Sequence, residues 1–535
     1  MPEAVLQAAA WRRWRPRVAV AVVFVAFAAL YFAAIPGFLF LKPDTAIYMG
    51  LARSLAEGEG YSFNLAPYAK YPPLYPLVLS VVYRLGGESA WAMQALGAAC
   101  GLGSLVLVYA LVKPRAGRWP ALAVVVLTGT CTWFLSHSVV YVLSGVPYAF
   151  FSLGALVAAE ALRRRGSLAL LPWLGVAALG VAALYTHLAG VALVPALAGG
   201  VLFAKGRWRP TRRRVLVASV VGGVCVAAAA AWVARGQSLG AMSSYTPEVS
   251  TAQGLGVGEM VARLKLRFRE FVSAPLSMSH NQVKWVVGLA MLALFVAPGL
   301  VRAFRRHSGS PELYLAAYFV VLVVAGGEGG HERYVVPVVP LLFYYGYLSL
   351  RVLGERLGWW LAQRRGEEAR RLAVRVPRVL TVVVGLAVLG YAVRAGVRGK
   401  RGASPFSADD RAEARALQAA WQEAAGWADG LPPGATLYAG SGGSWSFVHY
   451  FTRRRTGTCV IDEPTARQVA RRIVACEATY LLADERERTE NRLEPIFETH
   501  PECFDRIERN HECELYRIDL EKLRRLYPAS EEEGS

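Results

Sequence analysis

The chain contains predominantly apolar runs of about 17 to 24 residues, such as Val18 to Phe40, Ala121 to Val140 and Val215 to Val233. An α-helix of that length can cross the roughly 30 Å hydrocarbon core of a bilayer. Of the 535 residues, 55% are hydrophobic and only 18% are charged, a composition too apolar for a soluble globular protein. The sequence therefore predicts a polytopic α-helical membrane protein.

The apolar runs divide into about eleven predicted spans. These lie near residues 18–40, 90–112, 120–139, 142–162, 168–185, 187–204, 215–233, 284–303, 312–326, 334–352 and 379–395. The segment Pro72 to Leu85 is apolar but has only about fourteen residues, which better suits a helix in the outer interface of the membrane.

The net charge of +20 comes from short basic clusters between the apolar runs, not from one basic domain, which argues against nucleic-acid binding. The clusters are Arg12 to Arg17, Lys113 to Arg118, Arg163 to Arg165, Lys205 to Arg214, Arg302 to Arg306 and Arg351 to Arg378. All six fall on the cytoplasmic side if the N-terminus is cytoplasmic. We therefore predict a multi-pass protein of the cytoplasmic (inner) membrane with a cytoplasmic N-terminus.

Two domains are predicted, because the composition becomes polar and charged near residue 399. Residues 1–398 would form the transmembrane domain, and residues 399–535 a soluble α/β domain, since short apolar strings at 435–438, 459–461 and 479–482 are typical of strands. An odd number of spans places this second domain outside the cytoplasm.

The first outer loop begins with Lys42-Pro43-Asp44-Thr45 and continues with apolar residues at helical spacing. This pattern predicts an amphipathic helix on the outer membrane surface. Asp44 could simply cap that helix. Alternatively, its carboxylate could act as a general base at the boundary of water and membrane, for a single displacement with inversion.

Two further outward segments carry cations beside aromatic residues. Lys70-Tyr71 precedes a proline-stiffened apolar helix, and Arg333-Tyr334 precedes a late span. Lys70 and Arg333 could bind a phosphate, although either could instead anchor its segment at the lipid headgroups. Tyr334 could likewise only anchor its segment, as a residue of the interfacial aromatic belt. The basic segment from Arg263 to Arg269 alternates with apolar residues and is predicted to be an interfacial helix, with a strand as the alternative.

The order of these motifs resembles glycosyltransferase family 39, which has the GT-C membrane fold and includes the protein O-mannosyltransferases and the lipid A aminoarabinose transferase. The resemblance rests on residues 43–53, 71–77 and 332–340 and extends over roughly residues 18 to 350. It implies an enzyme that transfers a sugar from a polyprenyl-phosphate-linked donor to a lipid, glycan or protein acceptor. It also implies Asp44 as the base, with Lys70, Arg333 and Tyr334 at the donor phosphate.

Two positions depart from the family pattern. Ser144-Gly145-Val146-Pro147 lacks the acidic residue common there, and Tyr185-Thr186-His187 stands where relatives often have a cation. Glu328 and Glu332 are candidate replacements. Tyr48, Tyr71 and His331 complete the candidate substrate-binding residues.

No cofactor is predicted. A divalent metal at Glu328, His331 and Glu332 is disfavoured, because one glycine-rich loop gives its ligands no firm geometry. Cys459, Cys476, Cys503 and Cys513 are candidate disulfide partners in the outer domain. Pairing of Cys503 with Cys513 across a hairpin is favoured and would leave Cys459 to pair with Cys476, although four cysteines allow three connectivities.

Two other functions would fit a multi-pass chain. A transporter would be expected to carry ionisable or unwound positions near mid-membrane, often in two matching halves, and neither feature is evident. A non-catalytic relative could use its spans only to anchor an outer glycan-binding domain, and the absence of an acid at Gly145 is the best argument for it.

Overall fold

The computed structural model describes residues 3–64, 66–204, 207–208, 210–239, 256–276, 278, 281, 283–307, 309–325, 332–365, 408–439, 447, 449–451, 456–458, 466–484 and 493–528. The chain divides into two compact units. Unit 1 comprises residues 1–36, 69–75 and 91–407, and unit 2 comprises residues 37–68, 76–90 and 408–535. The first outer loop thus belongs to the same unit as the C-terminal segment, whereas the predicted boundary at residue 398 lies outside the described residues.

Helices dominate the described residues. In chain order they are α1 (Glu3–Ala33), α2 (Pro43–Glu57), α3 (Leu74–Gly86), α4 (Ala90–Ala116), α5 (Arg118–Thr130), α6 (Thr132–Val139), α7 (Gly145–Arg164), α8 (Leu170–Thr186), α9 (Leu193–Leu202), α10 (Arg212–Ser238), α11 (Val257–Ser273), α12 (Trp285–Phe295), α13 (Ala297–His307), α14 (Ser310–Ala325), α15 (Val339–Arg365), α16 (Ala408–Asp429), α17 (Ala466–Ala475), α18 (Leu493–Thr499) and α19 (Leu520–Leu526). Short 3₁₀ turns cover Leu188–Ala192, Glu332–Tyr334 and Val336–Val338.

Five helical stretches of the described chain are long and apolar enough to cross a membrane. They lie in α4, α7, α10, the continuous pair α12–α13 and the segment Val336–Trp360, and the pair α5–α6, bent by 64°, would make six. These six match predicted spans, so the chain is a multi-pass membrane protein. Four other predicted spans fall on the shorter apolar helices Arg17–Ala33, Leu170–Thr186, Leu188–Leu202 and Ser310–Val324. The span predicted at 379–395 lies outside the described residues, and the count of eleven stays a prediction.

Buried ion pairs join four helices of unit 1. Arg115, near the end of α4, lies 2.8 Å from Glu160 of α7 and 2.9 Å from Glu312 of α14, measured between guanidinium nitrogen and carboxylate oxygen. All three side chains are at most 2% exposed. Tyr345 of α15 donates a hydrogen bond of 3.1 Å to Glu312. The helices are therefore fixed to one another by charge as well as by apolar packing.

The same ion network extends to the end of α13. Arg163 lies 3.0 Å from Glu160 and donates a hydrogen bond to the carbonyl oxygen of His307. A Cβ atom at Gly309 would lie 2.3 Å from Oε1 of Glu160, so the chain can turn beside this network only with glycine at that position. We call this end of unit 1 the basic end, because it holds the clusters that the charge rule places in the cytoplasm.

Unit 2 contains a five-stranded mixed sheet. The strands of the chain are β1 (Ser62–Phe63), β2 (Ala66–Pro67), β3 (Phe203–Ala204), β4 (Arg207–Trp208), β5 (Leu437–Ala439), β6 (Thr456–Thr458), β7 (Tyr480–Asp484), β8 (Phe504–Arg509) and β9 (Cys513–Ile518). The sheet order is β6-β5-β7-β9-β8, with β5 parallel to β6 and β7 and the other pairs antiparallel. Ile473 of α17 and Leu523 of α19 pack with Tyr438 and Leu481 of the sheet in one hydrophobic core.

The hairpin register corrects the predicted disulfide between Cys503 and Cys513. Phe504 pairs with Ile518, and the Asn510 N–H donates to the carbonyl oxygen of Cys513, so the two cysteines lie at opposite ends of the hairpin. Six strand residues separate those ends by about 20 Å, whereas a disulfide requires Cα atoms within about 7 Å. The prediction was wrong because it assumed that the turn lay midway between the cysteines. Cys459 lies outside the described residues, so its predicted pairing with Cys476 stays a prediction.

Candidate active site

Asp44 lies in the first turn of α2, and its side chain is partly exposed. The helix begins at Pro43, whose fixed φ suits a first helical position, and ends at Gly58, which has a φ of +88°. The N-cap is Lys42 and makes no side-chain capping bond, so the interpretation of Asp44 as the cap residue is wrong.

The residues that follow Asp44 are deeply buried. Every residue from Thr45 to Ser54 is buried, and Thr45 is only 1% exposed. The hydroxyl oxygen of Thr45 has no hydrogen-bond partner among the described residues. Tyr48, a candidate substrate-binding residue, is 5% exposed and therefore packs inside the unit. Asp44 thus stands at the accessible start of a helix whose body is fixed.

Arg53 connects α2 to the C-terminal part of unit 2. Its guanidinium donates a hydrogen bond of 2.8 Å to the carbonyl oxygen of Tyr450 and lies 5.3 Å from the centre of that tyrosine's ring. It also lies 3.3 Å from the carboxylate of Glu88. Because Arg53 is only 6% exposed, these contacts replace water around a buried cation.

A second connection joins the short hairpin after α2 to the same C-terminal segment. The backbone N–H of Asn64 donates a hydrogen bond of 2.9 Å to Nε2 of His449, and the rings of Phe63 and His449 meet edge to face at 4.5 Å. At the other end of the loop, the Leu39 N–H donates to Gln418 at 2.8 Å. The C-terminal segment therefore contacts the Asp44 loop before, along and after its helix.

Replacing Arg53 with alanine is expected to destabilise unit 2 by about 1–3 kcal/mol, because the carbonyl of Tyr450 would stay buried without its donor. Urea denaturation of the full chain in detergent would measure the loss. Arg84→Ala is the matched control, since exposed Arg84 also donates to α2 carbonyls, at Leu55 and Ala56. Equal free energies of unfolding for the Arg53 and Arg84 variants would show that the buried contact stabilises unit 2 no more than the exposed one.

Arg333 and Tyr334 lie in the 3₁₀ turn Glu332–Tyr334, which a second 3₁₀ turn, Val336–Val338, separates from α15. The Arg333 guanidinium donates a hydrogen bond of 3.1 Å to the Tyr334 hydroxyl and lies 5.0 Å from the centre of its ring. The Tyr334 carbonyl accepts a hydrogen bond of 2.6 Å from Tyr318, in the middle of α14. Since α14 continues for another seven residues, to Ala325, the turn lies below the end of that helix. The two roles predicted for Arg333 and Tyr334, phosphate binding and interfacial anchoring, both stay predictions.

The two positions that depart from the family pattern both lie beside this turn. A Cβ atom at Gly145 would lie 3.9 Å from the carbonyl oxygen of Arg333, so a longer side chain there could reach the turn. The ring of His187 lies 6.4 Å from that of Tyr334. His187 also accepts a hydrogen bond of 3.1 Å from the N–H of Ala189, which caps the following 3₁₀ turn. This contact gives His187 a structural role, as the cap of that turn.

A buried tyrosine cluster lies under the same turn. The hydroxyls of Tyr148 and Tyr314 are 2.7 Å apart, and the rings of Tyr148 and Tyr318 stack at 6.2 Å. Tyr148 also donates to the carbonyl oxygen of Ala189. Sequence reasoning did not find this cluster, because isolated tyrosines in apolar spans give no local signal of a shared site.

The basic segment from Arg263 to Arg269 lies in α11, so the predicted helix is confirmed. Arg263 donates to the carbonyl of Val324 and Arg267 to that of Leu322, each at 3.1 Å, and both carbonyls belong to the last turn of α14. Cations favour a helix C-terminus. Arg267 and Glu270 form a fully buried pair at 2.5 Å. Arg263 and Arg267 therefore fix the end of α14 from inside the protein. The sequence had instead predicted that this segment lies at the membrane interface.

The other predicted residues are only partly described. Lys70 and Tyr71 belong to unit 1 and are partly exposed. Glu328 and His331 lie outside the described residues, as does the side chain of Glu332. Within the described part of the chain, no group of three His, Cys, Asp or Glu residues could hold a metal ion. The resemblance implies that Asp44, Lys70 and Arg333 act on one donor, and this stays a prediction, since Asp44 belongs to unit 2 and the two cations to unit 1.

Known proteins resemble this chain both in sequence and in fold. A family model described as dolichyl-phosphate-mannose-protein mannosyltransferase matches residues 70–233. Curated protein sequences give no match. The structure of ArnT from Cupriavidus metallidurans in the apo state is similar with a TM-score of 0.55 and 17% identity, over 94% of this chain and 98% of ArnT. ArnT bound to undecaprenyl phosphate is similar with a TM-score of 0.53 and 17% identity, over 93% and 98% of the two chains.

The archaeal oligosaccharyltransferase AglB from Archaeoglobus fulgidus, in complex with an inhibitory peptide and a dolichol-phosphate, is similar with a TM-score of 0.55 and 12% identity. The match covers 90% of this chain and 70% of AglB. At these identities the structural matches establish a shared fold. Together with the family model they confirm the resemblance that the motif order predicted.

Proposed function

From its resemblance to the GT-C glycosyltransferases, we propose that this chain transfers a sugar from a polyprenyl-phosphate-linked donor to an acceptor on the outer face of the cytoplasmic membrane. The observation that carries the proposal is the likeness to ArnT over 94% of the chain. ArnT has been crystallised with undecaprenyl phosphate, and AglB with a dolichol-phosphate, so both neighbours support a lipid-phosphate donor. The acceptor is a lipid, a glycan or a protein.

Asp44 is the general base. Its carboxylate accepts the proton of the acceptor hydroxyl or amine while the acceptor atom bonds to the anomeric carbon. The bond between that carbon and the phosphate oxygen breaks, the polyprenyl phosphate leaves with the electron pair, and the configuration inverts. The accessible position of Asp44 on a helix whose body is buried suits this role, since a base must be held in a fixed geometry.

Arg333, Tyr334 and Lys70 hold the donor phosphate. A guanidinium can donate two parallel hydrogen bonds to phosphate oxygens, and Arg333 is held by Tyr334 at 3.1 Å. As the sugar departs, negative charge grows on the phosphate, and positioned cations stabilise that charge.

We place the Asp44 loop and the C-terminal segment on the same side of the membrane, because Arg53 and His449 join them. The charge rule supports a cytoplasmic N-terminus, and the odd number of predicted spans then supports an outer location for the C-terminal domain. The proposal therefore assigns Asp44 to the outer side as well.

Replacing Arg333 with lysine is expected to raise the KM for the lipid-linked donor about 10- to 100-fold, since one charge-assisted hydrogen bond to phosphate is lost. The turnover number should change less. Steady-state kinetics with purified full-length protein would measure both. Arg165→Lys is the matched control and should leave KM unchanged. Arg165 caps the C-terminal end of α7, whereas Arg333 lies near Gly145 at the start of that helix. An unchanged KM in the Arg333 variant would remove this residue from donor binding.

A further inference from the structure

A groove of about 690 Å³ opens between the continuous pair α12–α13 and α15. It is lined by Ala293, Ala297, Pro298, Val301, Arg302, Arg305, Arg306, Val352, Glu355, Arg356 and Trp359. Four of these residues are arginines and one is a glutamate, so the lining is strongly basic. All of them belong to unit 1, and the groove ends near His307, the residue whose carbonyl binds Arg163 at the basic end.

The single carboxylate in this lining is already neutralised. Glu355 accepts hydrogen bonds from Arg302, with 3.0 Å between Nη2 and Oε1, and from Arg351 at 3.0 Å. Within the described part of the chain, no carboxylate pairs with Arg305, Arg306 or Arg356. These three arginines therefore give the groove an excess of positive charge that an anion would complement.

The charge is concentrated at one end of the groove. Along α12–α13 the apolar lining residues come first, from Ala293 to Val301, and the arginines follow. Ala293 and Arg306 are thirteen residues apart, which is about 20 Å along a helix. On α15, Val352 likewise precedes Arg356. The groove thus has an apolar end within the span and a basic end at its terminus.

Exposed apolar surface completes the match to a lipid. Val301 is 50% exposed and Trp359 is 66% exposed, and both line the groove. Tryptophan is enriched at the level of lipid headgroups. A soluble phosphate compound would use the arginines but leave the apolar end unfilled, whereas a phospholipid fills both. Basic pockets between membrane helices on the cytoplasmic side suit anionic headgroups.

We infer that this groove binds an anionic phospholipid of the cytoplasmic leaflet, with the headgroup phosphate on Arg305, Arg306 and Arg356 and an acyl chain along Ala293 and Ala297. The lipid would bridge α13 and α15, which already meet closely, since Gly299 donates its N–H to the Ser349 hydroxyl at 2.7 Å. This site stands apart from sugar transfer and does not depend on it.

Native mass spectrometry of the full-length protein in detergent tests the inference, with dioleoyl phosphatidylglycerol as the probe and phosphatidylcholine with the same chains as the comparison. We expect retained phosphatidylglycerol adducts on the natural sequence. The double variant R305Q/R306Q should bind phosphatidylglycerol about tenfold more weakly. R212Q/R213Q is the matched control, because it removes two exposed arginines at the start of α10, and it should retain the lipid.

A second variant tests the apolar end without changing charge. Ala297 is exposed and lines the groove. Ala297→Trp should therefore fill the apolar end of the groove and displace the lipid, while the packing inside unit 1 stays intact. Equal binding of both lipids by the natural sequence would overturn the inference. So would equal losses in R305Q/R306Q and the control, or unchanged binding in Ala297→Trp. Displacement of phosphatidylglycerol by millimolar inorganic phosphate would also overturn it, because the site would then recognise a free anion.

Discussion

Replacing Asp44 with asparagine is expected to lower the rate of sugar transfer about 10²- to 10⁴-fold, the usual contribution of a general base. Asparagine has nearly the same size and can occupy the first turn of α2, so the helix and its buried contacts should persist. The donor should still bind, because the proposed function assigns its phosphate to other residues. Single-turnover measurements on the full-length protein would separate the chemical step from binding.

The control for this variant lies on the same helix. Glu57 is the last residue of α2 and accepts a hydrogen bond from Tyr83 at 3.2 Å, on the exposed surface. Glu57→Gln removes one negative charge from α2, as Asp44→Asn does, but far from the helix start. It should retain full activity. A loss of rate in both variants would point to a general electrostatic effect and not to a base at Asp44.

Replacing Arg115 with methionine is expected to destabilise unit 1 by about 3–5 kcal/mol, which would be the largest stability loss of any single change considered for this chain. The guanidinium lies between Glu160 and Glu312, and all three side chains are at most 2% exposed. Without it, Glu312 keeps only uncharged donors among the described residues, namely the Tyr345 hydroxyl and the Gly309 N–H. A buried carboxylate without a cation is strongly unfavourable.

Thermal unfolding in detergent would measure this loss. Arg118→Met is the matched control, because Arg118 follows three residues later and is exposed at the start of α5. A double variant that also replaces Glu312 with glutamine should recover part of the stability, since no charge would then be left unpaired at that position. Similar melting temperatures for the Arg115 and Arg118 variants would mean that the ion network contributes little.

The sequence predicted the helical parts of the fold through local patterns. Long apolar runs gave α4, α7 and α10, because a membrane requires both length and apolar composition. The helix α2 followed from the spacing of apolar residues after Pro43. The order of the motifs around Asp44, Lys70 and Arg333 predicted the GT-C resemblance, which the family model and the likeness to ArnT confirm.

Contacts between distant segments could not be predicted in this way. Arg53 resembles an ordinary polar residue of an amphipathic helix, and nothing near it indicates a partner 397 residues later, at Tyr450. Arg115 was interpreted only as part of a topology signal, although it pairs with Glu312 across the bundle. The Cys503–Cys513 pairing failed for a related reason, because spacing along the chain does not fix strand register.

The most direct test of the proposed function is to follow a radiolabelled sugar on a polyprenyl-phosphate donor in membranes that contain the full-length protein. The proposed function predicts that the protein of natural sequence moves the label from the lipid donor to an acceptor. Membranes that contain the Asp44→Asn variant should leave the donor intact. Equal consumption of the donor by both proteins would contradict the role of Asp44. Label that stays on the donor lipid in every case, across donors with hexose and pentose sugars, would contradict sugar transfer itself.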